Sequence, residues 1–207
     1  MLRILLSAFL VATCMASVGA EDHPIAASAK DVMPLKAGDT LPDVSVKDAA
    51  GESVKLRGYH ADGPLVIVFY RGSWCPFCTK HFQELIKAQP EITKLGAKIV
   101  AISPDSVENT KGNTDKLKIP FPLLSDSELV ATKACGLAFT VDAATITKYK
   151  GFGIDLEKAS GHDHHALPVP AVFIVNKSGK VTFAHSDPDY KKRLDVETIL
   201  TELKKAK

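Results

Sequence analysis

The sequence predicts an α/β fold in which a central mixed β-sheet is flanked by helices. Three observations support this: two short, continuous apolar runs that suit buried strands, helical spacing after each run, and a late pair of strands joined by a tight turn. The 207 residues suffice for one large domain with a sizeable core. With 45% hydrophobic and 24% charged residues, the composition excludes wholesale disorder.

The charge balance and composition exclude several functional classes. Lys and Arg number 26 and Asp and Glu number 24, so the net charge of +2 gives no electrostatic basis for binding nucleic acid or an anionic membrane surface. Aromatic residues make up 7%, which is too few for base-stacking platforms. Four cysteines are too few for a disulfide-stabilised scaffold.

The first 20 residues have the pattern of a secretory signal peptide. Arg3 is followed by a largely apolar, uncharged run at 4–18, and small residues at 17–20 precede a polar segment. The run is shorter than the roughly 20 residues that a membrane span needs. We therefore expect cleavage after Ala20, export to the periplasm or the medium, and no membrane span in the mature chain. Two alternatives stay open, an N-terminal membrane anchor and a lipoprotein modified at Cys14.

The folded domain is expected to occupy residues 39–207, after a polar, poorly ordered lead-in at 21–38. Its first elements are a strand at 41–47 and a partner strand at 52–56, which together form an N-terminal β-hairpin extension. The apolar run at 64–70 then predicts a central strand that is buried on both faces.

A helix and a second buried strand are expected next. Helical spacing extends from Pro76 to about Leu95, and Pro90 should kink or end the helix. The apolar run at 98–103 would lie parallel to the first central strand through a right-handed crossover. The next predicted elements are a helix capped at 104–106 and ending at Leu117, an extended segment at 121–125, and a helix from Asp126 to near Gly136. A segment at 137–167 shows little periodicity. A hairpin of strands 171–175 and 180–184 and a last helix capped by Asp195 complete the domain.

Reactive chemistry is predicted at Cys75 and Cys78, where a strand ends and a helix begins. A cysteine at a helix N-terminus meets unpaired N–H groups and the positive end of the helix dipole, and both favour the thiolate. Cys78, one turn along the helix, can donate a hydrogen bond to that thiolate or form a bond to its sulfur on oxidation. Lowering a thiol pKa from ~8.5 by ~2 units requires about 2.7 kcal/mol and makes the thiol mostly thiolate at pH 7. The pair is therefore interpreted as a redox-active dithiol.

Other uses of two cysteines at this spacing fit the sequence less well. A zinc site would need a second pair of ligands, and no second CxxC occurs. Haem attachment would need a histidine at position 79, which is Thr79. A static structural disulfide conflicts with the strain of such a short loop, which is more often redox-active.

The residues around the cysteine pair resemble two related groups of proteins. Trp74-Cys75-x-x-Cys78 after an apolar strand looks like the thioredoxin fold, and residues 69–78 have the spacing of the peroxiredoxin motif Phe-Tyr-Pro-x-x-x-Thr-x-x-Cys. Residues 100–103, 121–126 and 173–179 also resemble peroxiredoxins. From about Leu35 to its end, the chain is similar to the peroxiredoxin-like branch of the alkyl hydroperoxide reductase and thiol-specific antioxidant family. The resemblance implies a thioredoxin-like fold.

The departures from the peroxiredoxin pattern concern the partners of the reactive cysteine. Cys78 takes the place of the peroxidatic cysteine, Cys75 that of the family's threonine and Arg71 that of its proline. The family's distant arginine falls on or beside Pro170, which instead matches the cis-proline that thioredoxin-like proteins pack against their CxxC. Arg71 either replaces the missing arginine at the thiolate or is a solvated loop charge.

The resemblance implies a thiol-disulfide oxidoreductase or peroxiredoxin-like antioxidant outside the cytoplasm. Cys75 and Cys78 would reduce a hydroperoxide or a protein disulfide, a thioredoxin-like protein would restore the dithiol, and no bound cofactor is implied. Two alternatives stay open: an envelope disulfide reductase without a peroxidase role, and a copper or zinc chaperone that uses the pair and a histidine from 161–165. Cys135 is either a buried free thiol or a resolving cysteine.

The two resemblances disagree about which sulfur attacks first. The thioredoxin-like arrangement exposes Cys75 and shields Cys78, whereas the peroxiredoxin alignment makes Cys78 the peroxide-reactive cysteine. We predict that disulfides and alkylating agents reach Cys75 first. We also predict slow peroxide turnover, because the family's threonine and arginine are missing from their usual positions.

Overall fold

The computed structural model describes residues 23–206, which form a mixed sheet with helices on both faces, so the predicted fold class is confirmed. The expected signal peptide at 1–20 lies outside the described residues. No helix within 23–206 is both long and apolar enough to cross a bilayer. The elements in chain order are β1 (Ser45–Lys47), β2 (Ser53–Lys55), α1 (Arg57–His60), β3 (Leu65–Phe69), α2 (Pro76–Lys94), β4 (Lys98–Ser103), α3 (Val107–Leu117), β5 (Leu123–Ser125), α4 (Val130–Ala134), β6 (Ala138–Thr140), α5 (Ala143–Gly151), α6 (Leu156–Ser160), β7 (Ala166–Pro168), β8 (Ala171–Val175), β9 (Val181–Ser186) and α7 (Val196–Lys205).

The main sheet has the strand order β2-β1-β5-β4-β3-β8-β9, with β3 and β4 at its centre. These two strands are parallel, with Ile67 opposite Val100, as the sequence predicts for apolar runs joined by a helical crossover. β8 runs antiparallel to β3, and β9 runs antiparallel to β8, so the sheet is mixed. The carboxyl ends of β3 and β4 therefore meet at one edge, where the cysteine pair follows β3.

Side chains of β3 alternate between two apolar cores, one on each face of the sheet. Val66 and Val68, together with Tyr70 just after the strand, pack against α2 and α7 in the first core, which also holds Cys75 and Cys78. The other β3 side chains, Leu65, Ile67 and Phe69, point into the second core on the opposite face. A short, continuous apolar run is the pattern expected for a strand that is covered on both sides.

The predicted N-terminal hairpin is confirmed and extends the main sheet. β1 and β2 pair antiparallel with Val46 opposite Val54, and β1 then pairs with β5 through Lys47 and Ser125. The predicted caps of two helices are also confirmed, since Ser106 accepts a hydrogen bond from the backbone N–H of Asn109 and opens α3, and Asp195 opens α7.

Pro90 does not end the helix, because α2 continues from Pro76 to Lys94; the alternative that Pro90 kinks α2 stays a prediction. Proline removes one backbone donor and leaves the carbonyl one turn earlier without its helical partner. Pro90 lies on the exposed face of α2, where water can satisfy that carbonyl. Buried Ala88 and Ile92 on the opposite face hold the helix against the core across the proline.

The segment at 137–167 contains regular structure that its lack of periodicity did not predict. β6 and β7 form a separate two-stranded antiparallel sheet, and α5 and α6 lie between them. None of the α5 residues is fully buried, and the apolar contacts of Ile146 and Tyr149 give this helix a stripe that is too short for a periodicity argument to detect. Its N-cap, Asp142, accepts a hydrogen bond from Thr145 N and supplies the local start signal.

The described part of the lead-in is packed against the domain, so the expectation of poor order is wrong for residues 23–38. Backbone hydrogen bonds join Ala26 N to Ala138 O at 2.9 Å and Leu35 N to Cys135 O at 3.2 Å. The main chain of the lead-in also passes close to Gly136, where an added Cβ would lie 1.9 Å from Met33 O. Gly136 has a φ of +66°, so both backbone geometry and space require glycine at this crossing.

Candidate active site

The cysteine pair lies between the end of β3 and the first turn of α2, as the sequence predicts. Cys75 is the N-cap of α2, with an extended backbone, and Pro76 occupies the first helical position. The Cys75 carbonyl accepts hydrogen bonds from Cys78 N and Thr79 N, both at 3.1 Å. These bonds place the Cys78 side chain one turn beyond Cys75, on the buried side of the helix.

The loop that leads into the pair is fixed by a buried carboxylate. Asp105, just after β4, accepts a hydrogen bond from Ser73 N at 2.7 Å. Gly72 has a φ of +150°, and a Cβ there would lie 2.4 Å from Trp74 Nε1 and 2.9 Å from Asp105 Oδ1. Only glycine fits this approach of the loop to Asp105. Burial raises the pKa of Asp105 to about 6, against the lowering effect of the hydrogen bonds from Ser73 and Ser103.

Both sulfurs are shielded, which corrects the expectation that Cys75 is exposed. Cys75 is 0% exposed and Cys78 is 2% exposed, and both are free thiols in this structure. Trp74, Arg71 and the loop after β9 lie over the start of α2 and cover the first cysteine. Because Cys75 has no exposed surface, a small molecule reaches its sulfur only after a small displacement of these side chains, whereas a protein disulfide requires the covering loops to move.

Arg71 is a buried part of the site, so its interpretation as a solvated loop charge is wrong. Its side chain is almost fully buried, and its Nη1 lies 3.9 Å from Cys75 Sγ. Its Nη2 donates a hydrogen bond to the hydroxyl of Tyr149, which is on α5. The guanidinium also lies over three aromatic rings, those of Tyr190, Trp74 and Tyr149.

A second arginine, Arg193, contacts the other sulfur and was not predicted from the sequence. Arg193 is in the loop between β9 and α7, and its Nη2 lies 3.4 Å from Cys78 Sγ. The site therefore has one guanidinium beside each sulfur. The alignment with the peroxiredoxin motif places the family's arginine on or beside Pro170, whereas Arg193 lies in a different loop, between β9 and α7.

The two thiols have opposite pKa shifts. A hydrogen bond from the Cys78 thiol is the largest cause that lowers the pKa of Cys75, to about 6, and the charges of Arg71 and Arg193 lower it further. Burial raises the pKa of Cys78 well above its ordinary value, and its interaction with Cys75 adds to this. At neutral pH the pair therefore holds one thiolate, on Cys75, and one proton, on Cys78.

Pro170 does not have the expected cis peptide bond, because no peptide bond within residues 23–206 is cis. The chain runs extended from β7 into β8, and Val169 N donates a hydrogen bond to Leu137 O at 2.9 Å. This extended path is compatible with the ordinary trans peptide. The Pro170 carbonyl accepts a hydrogen bond from Asp187 N at 3.3 Å, so Pro170 holds the start of the loop that carries Arg193.

Cys135 lies on the opposite face of the sheet from the cysteine pair. It is fully buried in the second core, whereas Cys75 and Cys78 belong to the first. Burial raises the pKa of the Cys135 thiol far above its ordinary value. These positions favour the buried free thiol over the resolving cysteine, because a bond to Cys75 would require the sheet to open.

The histidine cluster at 162–165 is engaged in local structure. The Nδ1 of His164 accepts a hydrogen bond from Ala166 N at 3.0 Å, and its Nε2 faces Ser127 O at 2.9 Å. His165 pairs with Glu157 at 2.7 Å. Within residues 23–206, no group of three or more His, Cys, Asp or Glu side chains is arranged to hold a metal ion.

The fold and this site agree with a match to a known protein family. Residues 37–184, most of the chain, match the model of the AhpC/TSA family. The chain belongs to the AhpC/TSA family. It is 36% identical over 100 residues to "Peroxiredoxin Q, chloroplastic" of Sedum lineare, a match that covers 48% of this chain and 53% of the relative. It is 33% identical over 96 residues to "Peroxiredoxin Bcp" of Bacillus subtilis, covering 46% and 60%. The chain thus spans about half to three fifths of these curated relatives.

Solved structures named peroxidoxin or peroxiredoxin share the fold over most of the chain. Peroxidoxin BcpB from Mycobacterium tuberculosis has a TM-score of 0.65 at 22% identity, covering 84% of this chain and 99% of that one. Peroxiredoxin Q from Xanthomonas campestris has a TM-score of 0.63 at 24% identity, covering 85% and 99%. At this level of identity the similarity establishes the thioredoxin-like peroxiredoxin fold, and the chemistry has to be argued from the site itself.

Proposed function

We propose that this protein reduces small hydroperoxides through Cys75 and Cys78, and that a thioredoxin-like protein regenerates the dithiol. The observation that carries the proposal is the burial of both sulfurs beside two guanidinium groups. Positive charge at a shielded thiolate suits a reaction in which negative charge moves from sulfur to a departing oxygen. The family relatives named peroxiredoxins support the same reaction class.

The first step is attack by the Cys75 thiolate on the terminal oxygen of the hydroperoxide. A sulfur–oxygen bond forms, the oxygen–oxygen bond breaks, and Cys75 becomes a sulfenic acid. The other oxygen leaves as an alkoxide or hydroxide and takes a proton from water. Arg71 and Arg193 provide the positive charge that stabilises the transition state, the role that the motif's missing residues would otherwise have.

The second step joins the two cysteines. The Cys78 sulfur attacks the sulfenic sulfur of Cys75, the disulfide forms, and the Cys78 proton leaves with the hydroxyl as water. The neighbouring positions at the start of α2 allow this bond with a short loop. A reduced thioredoxin-like protein then supplies two electrons and two protons and restores both thiols. This last step requires the covering loops to open, because the reductant is a protein.

Neither alternative function is favoured by an observation on the described residues. A dedicated disulfide reductase must admit a protein both as substrate and as reductant, whereas a hydroperoxide reductase admits one only for regeneration, and Cys75 is fully buried in the reduced protein. A metal chaperone needs a histidine grouped with the pair, and within residues 23–206 no group of three or more His, Cys, Asp or Glu side chains is arranged to hold a metal ion. We therefore keep hydroperoxide reduction as the proposed function.

A single-turnover experiment tests the proposed function. The fully reduced protein is mixed with one equivalent of hydrogen peroxide or tert-butyl hydroperoxide, and peroxide and free thiols are counted. We expect one peroxide consumed for two thiols lost, with the new disulfide between Cys75 and Cys78 by peptide mapping and with Cys135 still reduced. A protein that leaves the peroxide intact but reduces a small model disulfide would contradict the proposal, and a dominant link to Cys135 would contradict the assigned resolving cysteine.

We also propose that the protein acts outside the cytoplasm. The support is the sequence pattern at 1–20, with its charge, short apolar run and terminal small residues. The mass of protein recovered from the extracytoplasmic fraction should correspond to a chain that begins at Glu21. Recovery of a chain that retains Met1, or of one that carries lipid on Cys14, would contradict this assignment.

A further inference from the structure

Arg71 and Arg193 repel each other, since two like charges lie beside one small buried site. Without a residue that holds them, both guanidiniums would lower their electrostatic free energy by moving apart into water. Their contacts converge on one residue that is neither cysteine nor arginine. We infer that Tyr190 is a positioning residue that holds Arg71 and Arg193 at the cysteine pair, an inference that rests on the proposed function.

Tyr190 contacts both cations through different groups. Its ring lies under the Arg71 guanidinium, with 4.0 Å between Cζ and the ring centroid, closer than the corresponding 4.8 Å for Trp74 and 5.4 Å for Tyr149. Its main-chain carbonyl accepts a hydrogen bond from Arg193 Nη1. A ring face and a carbonyl oxygen are both electron-rich, so one residue offsets part of the repulsion between the two arginines.

The position of Tyr190 is itself fixed from two sides. Its ring packs edge-to-face on Phe77, in the first turn of α2, at 5.7 Å between centroids. The loop that carries Tyr190 is ordered by its own hydrogen bonds: Asp189 Oδ1 accepts from Lys191 N at 3.1 Å, and Lys192 N donates to Asp189 O at 2.9 Å. Tyr190 therefore connects a preorganised loop to the helix that presents both sulfurs.

The chemical consequence concerns the thiolate rather than the overall fold. Both arginine charges lower the pKa of Cys75. If the Tyr190 ring is removed, Arg71 loses its closest aromatic contact, and the carbonyl that holds Arg193 is no longer anchored on Phe77. A cation–π contact of ordinary strength corresponds to about a threefold to thirtyfold effect. The Cys75 thiol should then titrate at higher pH, and its attack on peroxide should slow.

The test compares Tyr190→Leu with Tyr190→Phe. Leucine keeps an apolar contact with Phe77 but has no ring face, whereas phenylalanine keeps the ring and the main-chain carbonyl. The fraction of thiolate is measured by its ultraviolet absorbance from pH 4 to pH 8 in the reduced protein, where the buried Cys135 thiol stays protonated. We expect the midpoint of Tyr190→Leu to rise by about 0.5 to 1 pH unit and its peroxide rate at neutral pH to fall about threefold to tenfold. Tyr190→Phe should stay within about twofold of the wild type.

Two results would overturn the role of Tyr190. One is a folded Tyr190→Leu variant, verified by circular dichroism, whose thiolate midpoint equals that of the wild type. The other is a Tyr190→Phe variant that shifts as much as the leucine variant. If Tyr190→Leu unfolds, Tyr190→Met serves in its place with the same expected shift. The titration contains no peroxide, so a wild-type protein that fails to reduce peroxide would contradict the proposed function while leaving the positioning role of Tyr190 intact.

Discussion

Cys75→Ser should abolish peroxide reduction, with a loss of about a thousandfold or more in the rate of peroxide consumption. The serine hydroxyl stays protonated at neutral pH and cannot replace the thiolate that the site stabilises. Cys78 cannot substitute efficiently, because burial raises the pKa of its thiol well above the ordinary value. The reactive fraction of Cys78 at neutral pH is therefore very small.

Cys78→Ser is the matched variant, and it should fail at a later step. The serine hydroxyl can still donate a hydrogen bond to the Cys75 thiolate, so the first attack on peroxide should survive. One equivalent of peroxide is then consumed and a sulfenic acid accumulates on Cys75, because no second thiol is available to form the disulfide. Repeated turnover with a thioredoxin-type reductant should be strongly reduced.

Dimedone labelling followed by peptide mapping identifies the cysteine that carries the sulfenic acid in each variant. In the wild-type protein, the rate of the first peroxide consumption should increase between about pH 5 and pH 7 and then level off, because the thiolate is the reactive form and the lowered pKa of Cys75 is about 6. Fast peroxide reduction by Cys75→Ser, with the label on Cys78, would reverse the assigned order and support the family alignment.

Local sequence patterns predicted the part of the site that is built from consecutive residues. A strand buried on both faces needs a continuous apolar run, and 64–70 provides one next to the cysteine pair. The helix start at Pro76 follows from proline's preference for the first helical position. The strand, the loop and the dithiol could therefore be placed without the structure.

The cations of the site depend on tertiary contacts, which no local pattern encodes. Arg193 is 115 residues from Cys78 along the chain and stands after two lysines, as an ordinary charged loop would. Tyr149 belongs to α5, a helix without a fully buried residue and with only a short apolar stripe. Arg71 is adjacent to the motif, but its burial follows from three aromatic rings, two of them from distant segments.

The expected helix end at Pro90 and the expected cis bond at Pro170 are both wrong, because each considered only part of the environment. Pro90 breaks one helical hydrogen bond, but it lies on the solvent face, and buried residues on either side keep α2 intact. Pro170 occupies the sequence position of a cis-proline, but the extended path from β7 into β8 accommodates the trans form. Its observed contribution is a carbonyl that anchors the loop of Arg193.

Arg193→Met should slow peroxide reduction by about a hundredfold, which corresponds to about 2.7 kcal/mol of transition-state stabilisation. Methionine keeps much of the side-chain length but removes the guanidinium that lies 3.4 Å from Cys78 Sγ. Negative charge that leaves Cys75 during the attack then has one cation fewer to stabilise it. The loss of this charge should also raise the pKa of Cys75, because Arg193 is one of the groups that lower it.

Lys192→Met is the matched control, since it removes the same formal charge from the neighbouring position. The Lys192 side chain is exposed and pairs with Asp187 at 3.5 Å on the surface, an interaction that typically contributes less than about 1 kcal/mol. Its peroxide rate should stay within about threefold of the wild type. Stopped-flow measurement of both variants at low and high salt separates the two effects, because long-range attraction is screened and a contact at the buried sulfur is much less so. If both variants lose the same share of the peroxide rate and the loss disappears at high salt, Arg193 acts only through the electrostatic field of the surface. A loss of rate that is confined to Arg193→Met and persists at high salt identifies the guanidinium at the sulfur as its cause.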